Sequence, residues 1–131
     1  MPPQPAHRSI EFFQSLPKVE RHRHLEGSLQ LVTLLEMAHA HGLVFPGTFH
    51  LRLLVQVHSD DPNPSQNFLA KFETLRRVYR SPQVIACVSR EKIADAAADN
   101  VRYLELRFSP AALNKAEDFP LAEVIDWPSR A

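Results

Sequence analysis

The stretch PKVERHRHLEGSL, residues 17–29, sets His22 and His24 one residue apart and follows them with Glu26 and Gly27. In an extended strand, residues two apart point to the same face and lie about 6.5 to 7 Å apart along the backbone. Two imidazoles at that spacing can lean towards one ion, which suits two ligands of a zinc site. Catalytic zinc takes three protein ligands and keeps a further position for water. The pair is therefore half a site, and the competing reading is a polar strand end with two solvated histidines.

The other histidines do not complete the set. His39 and His41 repeat the spacing inside LVTLLEMAHAHGL, where Leu31, Leu34, Leu35 and Ala38 recur at helical intervals. On a helix, positions two apart point about 200° apart, so these two belong on the surface near a helix C-terminus. His7 lies in the proline-rich opening, and His50 and His58 lie in or near a loop. None sits in a His-Glu-x-x-His arrangement. The single cysteine, Cys87 in VIACVS, excludes an internal disulfide and reads as a buried, inert thiol.

The elements that must hold the pair follow from pattern. Residues 1–8 read as a disordered lead-in. SIEFFQSL is a short helix with Ser9 as N-cap and Phe12 and Phe13 turned inward, and Pro17 ends it. KVERHRH then alternates as a strand, with Lys18, Glu20, His22 and His24 on one face and Val19, Arg21, Arg23 and Leu25 on the other. Helices are expected on the Val19/Leu25 side, where a buried Arg21 guanidinium without a partner is costly. Gly42 suits the position after a helix C-cap. Ser65 is placed to cap a helix whose stripe is Phe68, Phe72, Leu75 and Tyr79. Pro82 opens a long helix that Asn100 can end in a left-handed conformation. VRYLELRFSP is a second strand, and Pro120 starts another helix. Two strands separated by helices indicate adjacent parallel strands in an α/β fold.

Bulk properties narrow the function. The 131 residues carry fifteen basic and fifteen acidic side chains, so no overall field recruits nucleic acid or an anionic membrane. Arg76, Arg77 and Arg80 read as the solvated face of a helix. No apolar run reaches the roughly 18 residues of a membrane span, and no signal peptide is visible, which makes the cytoplasm the expected location.

LPKVERHRHLEGSL resembles the opening motif of the adenosine deaminase family, in which His-x-His-Leu-(Asp/Glu)-Gly follows a Leu-Pro-Lys-Val-Glu run. TLLEMA, FLAKFETLRRVYRSP and DAAADNVRYLELRFSP are similar to that family in the same order, so the likeness runs from about Ser9 to Trp127. It implies the N-terminal part of a (β/α)₈ TIM-type barrel over residues 9–131, truncated at the C-terminus. It further implies a zinc-dependent hydrolase that deaminates adenosine or adenine to inosine or hypoxanthine. By the resemblance His22 and His24 are two zinc ligands, Glu26 contacts the purine substrate and Gly27 lets the chain turn tightly beneath it. The family's remaining ligand and its catalytic glutamate lie beyond this stretch, so no catalytic residue is expected in this chain. Another barrel metal-dependent hydrolase and a non-catalytic helical interaction module are the alternatives from other classes.

Overall fold

The structure, a computed structural model, describes residues 8–62 and 64–131, with Phe49 and Pro64 described by backbone alone. The expected disorder of residues 1–8 therefore falls almost wholly outside the described residues. Chain order is α1 (Ile10–Ser15), β1 (Lys18–His24), α2 (Leu31–Ala40), α3 (Thr48–Val55), α4 (Pro64–Arg76), α5 (Pro82–Ala98), β2 (Val101–Arg107), α6 (Pro110–Leu113) and α7 (Leu121–Ser129).

β1 and β2 are hydrogen-bonded neighbours and run parallel, as the pattern requires. Glu20 pairs with Leu104 and Arg23 with Leu106, so three steps of β1 span two steps of β2. The extra residue sits in the Arg21–His22 segment, and a bulge there re-aims side chains that strict alternation would fix. Both strands finish at the same end of the sheet, where Leu25 N–H still donates to Arg107 O at 2.8 Å.

Local signals explain most boundaries. Ser9 Oγ accepts from Phe12 N–H and Ser81 Oγ from Val84 N–H, so both serines cap their helices. Gly42 takes φ +64° after α2, and its N–H and that of Leu43 reach His39 O and Ala38 O. That pair of bonds satisfies carbonyls that a helix end leaves free. Asn100, at φ 59°, ends α5 in the left-handed region, and its side chain donates to Ser15 O at 2.8 Å. The start of α2 has no side-chain cap of its own. Glu91 of α5 replaces it, accepting from Gln30 N–H at 2.6 Å and from the Thr33 hydroxyl.

The core lies beneath the strand ends. Leu25, Leu34, Leu51, Ile85, Val88 and Val124 are fully buried or nearly so. Each such side chain contributes about 2 kcal/mol.

Several expectations need correction. Phe13 is 53% exposed and Phe12 only half-buried, and no residue of the six-residue α1 joins the core. Val19 is 64% exposed: burial on that side of β1 starts at its far end, with Leu25. Arg21 is exposed as well, so its guanidinium stays in water at no desolvation cost. Ser65 lies inside the first turn of α4 and does not cap it. Cys87 is half-buried, one step off the α5 stripe of Val84, Val88 and Ser89. His50 lies on α3, a helix the sequence reading left unassigned.

Candidate metal and substrate site

The two histidines converge at the end of β1. His22 Nε2 and His24 Nε2 stand 3.1 Å apart, with ring centroids at 5.0 Å. Two nitrogens bound to one tetrahedral zinc at 2.0–2.1 Å are about 3.3 Å from each other. The pair therefore fits two donors of one metal site. Among the described residues no group of three or more His, Cys, Asp or Glu is arranged to hold an ion. His39 and His41 stay on α2 and its C-cap, away from the pair.

Beyond β1 the chain turns through Glu26 and Gly27. Glu26 is fully buried, and its Oε1 accepts from Ser109 N–H, just past β2, at 3.1 Å. The same oxygen is 3.6 Å from Arg76 Nη2, while Oε2 is buried without a partner. A carboxylate thus ties together the ends of both strands and α4. Gly27 adopts no left-handed conformation. Its lack of a side chain matters for approach: a Cβ there would stand 3.2 Å from Phe72 Cε1.

Phe72 also packs edge-on against His24, with centroids 5.6 Å apart, and against Phe68 at 5.1 Å. A cavity of about 190 Å³ beside the histidines is lined by both, with Gly27 and the two phenylalanines. A second, of about 440 Å³, shares Gly27, Phe68 and Phe72 and reaches Val55 and Val57 after α3. Arg23 and Ser28 border the first cavity and Gln56 and Lys71 the second, so the combination is a mixed cleft with a phenylalanine wall, opening on two imidazoles at the C-terminal ends of parallel strands, where barrel enzymes carry their sites.

Residues 17–131 match the family model for adenosine deaminase. The chain belongs to the adenosine deaminase family. It is 36% identical over 119 residues to a probable adenosine deaminase of Dictyostelium discoideum, covering 90% of this chain and 15% of that protein. It is 34% identical over 115 residues to a Clostridium botulinum adenosine deaminase, covering 87% of this chain and 34% of the enzyme. Among solved structures it superposes on Arabidopsis ADAL complexed with IMP at a TM-score of 0.69 and 26% identity, over 91% of this chain and 34% of that one. The apo N6-methyl-AMP deaminase of Arabidopsis thaliana gives 0.66 and 26%, over 94% and 36%. The chain thus spans about a third or less of the length of these relatives. The fold is the α/β arrangement of a TIM-type barrel, with two of its parallel strands described here.

Phe72, Arg76 and Tyr79 hold the candidate site from α4 and the turn after it. Phe72 and Tyr79 are legible only as an apolar stripe, and Arg76 only as surface charge. Tyr79 is fully buried, and its hydroxyl donates to Leu25 O at 3.1 Å, pinning the strand end between His24 and Glu26. Burial first, then the nearby charge of Glu26, push this phenol well above the usual tyrosine range. It stays protonated and remains a donor. The unfolded chain releases that proton near pH 10 while the folded one keeps it, so Tyr79 makes stability fall as pH rises past about 10. Tyr79→Phe is expected to cost about 1 kcal/mol at neutral pH, because Ser28 N–H still serves Leu25 O. It should also remove part of the alkaline loss. Urea unfolding at pH 7 and pH 10.5 checks both, and an unchanged difference between the two pH values would refute the assignment.

No helix among the described residues is long and apolar enough to cross a membrane.

Proposed function

We propose that this chain supplies two ligands and part of the substrate cleft of a zinc-dependent hydrolase that converts a 6-aminopurine nucleoside or nucleotide to its 6-oxo product and ammonia. The observation that carries the reading is the 3.1 Å approach of His22 Nε2 and His24 Nε2 at the end of β1, beside a cleft walled by Phe68 and Phe72. When bound, zinc supplies the acidity that makes water a nucleophile near neutral pH.

The chain's own residues do the rest of the work assigned here. His22 and His24 present neutral nitrogens to the metal. Phe68 and Phe72 form an apolar wall, edge-on to one another, against which a purine ring can pack. Glu26 Oε2, buried and unpartnered, is an acceptor for a substrate N–H or hydroxyl. The adenosine deaminases and the N6-methyl-AMP deaminase among the relatives support a purine substrate. Cytoplasmic location belongs to the same proposal.

With no group of three or more His, Cys, Asp or Glu arranged around an ion among the described residues, the 131-residue chain is expected to release no ammonia from adenosine, adenine or AMP in the presence of zinc. Exchanging it for the matching third of the Clostridium botulinum enzyme tests the proposal directly. A folded chimera should deaminate adenosine and lose turnover on His22→Ala. A chimera with native circular dichroism and no activity would defeat the reading.

A further inference from the structure

The arginines at the end of α4 do not form a plain solvated face. Arg76, Arg77 and Arg80, with Lys115 from the segment after α6, surround a cavity of about 380 Å³ that Glu73 and Ala116 complete. That size is in the range of small-molecule sites. Two carboxylates outside the lining approach it: Glu26 stands 3.6 Å from Arg76 Nη2, and Glu117 3.6 Å from Arg80 Nη1. Both are ion pairs at separations longer than the roughly 2.7–2.9 Å of a charge-assisted hydrogen bond, so each occupies one end of its guanidinium and leaves other N–H groups free. Arg76 Nε is buried with no acceptor, and Lys115 is exposed at the edge of the cavity.

Two of the cations are also held in place. Arg77 lies over the Phe45 ring at 4.8 Å and Arg76 over Phe72 at 5.4 Å. Stacking on a ring face orients a guanidinium while its edge N–H groups stay available. Arg80 Nε is taken up by Arg77 O at 3.3 Å, but the remaining guanidinium N–H groups and Lys115 leave the lining a surplus of positive charge in a concave setting.

We propose that this cavity binds a phosphate-type oxyanion. Guanidinium forks match the geometry of phosphate oxygens, the buried Arg76 Nε lacks an acceptor, and the exposed Lys115 adds positive charge at the rim. The oxyanion is either the phosphate ester of a purine nucleotide or free inorganic phosphate. Arg76 borders both the cavity and Glu26, which links the cavity to the cleft. Only the nucleotide source rests on the deaminase reading; oxyanion binding does not.

The test is calorimetric titration of the 131-residue protein at low ionic strength with inorganic phosphate, AMP and adenosine in separate arms. Saturable phosphate binding that weakens with added chloride is expected. Arg77→Gln with Arg80→Gln should weaken it at least about tenfold. Arg77→Lys with Arg80→Lys, which keeps the charge, should retain much of it and so separates lost binding from lost fold. AMP binding tighter than both phosphate and adenosine assigns the site to a nucleotide. AMP and phosphate binding alike assigns it to free phosphate. No phosphate binding by the parent protein, or equal binding by the double glutamine variant, overturns the proposal. Zinc titration of the same protein, which involves none of the four cations, scores the deaminase reading separately.

Discussion

Replacing His22 and His24 together by alanine is expected to abolish zinc binding by the 131-residue protein, while replacing His39 and His41 leaves it intact. The Nε2 atoms of the first pair already stand 3.1 Å apart, so one ion can take both without backbone movement. Loss of an outer hydrogen-bond partner alone lowers metal affinity about 10- to 100-fold, and loss of a direct donor costs no less. His39 and His41 have no such convergence, since one is exposed on α2 and the other caps it. Binding by the intact chain should still be weak, because two donors do not enclose the ion. It should also fade in acid, since only neutral imidazole ligates. Isothermal titration at pH 7.5 and pH 5.5 reads both effects. Tight one-to-one binding that survives the His22/His24 substitution would place the donors elsewhere and remove the basis of the site.

That pair was legible because a period of two in KVERHRH places both imidazoles on one face, and nothing else in the segment competes for them. The bulge was not legible. It arises from the register between β1 and β2, a property of two segments some eighty residues apart, and no local signal in Arg21–His22 records it. The same division runs through the fold. Ser9, Ser81, Gly42 and Asn100 act on their own neighbours, and each does what its type predicts.

What the sequence hid depends on distant partners. Nothing local announces α3: TFHLRLLV has Gly47 before it and no side-chain cap. Its last turn is instead tied to α4, where the buried Lys71 ammonium donates to Leu53 O at 2.9 Å and pairs with Asp61 at 3.1 Å. His58 N–H and then Lys71 hold the Asp61 carboxyl below its usual range, which keeps that partner charged. Charge on a helix misled in the same way. Arg76 looks like any solvated arginine until the chain brings Glu26 beneath it, fifty residues away in sequence.

That contact sets up the second large effect. Glu26 is a buried carboxylate, and Arg76 is the cation closest to it in the structure. Removing one partner of a buried pair leaves the other charge uncompensated, at about 3–5 kcal/mol when both are enclosed. Arg76 keeps part of its surface in water, so Arg76→Met should destabilise by about 2 kcal/mol, below that range. Glu26→Gln should cost less, about 1 kcal/mol, because the amide oxygen can still accept from Ser109 N–H. The double variant should be more stable than the sum of the two losses implies, with a coupling of about 1–2 kcal/mol, since the exposed fate of each charge is removed along with its partner. Urea unfolding of the four proteins in the same buffer measures the cycle. A coupling indistinguishable from zero would mean that water screens the 3.6 Å separation, that Arg76 serves the neighbouring cavity alone, and that Ser109 N–H by itself holds Glu26 at the strand ends.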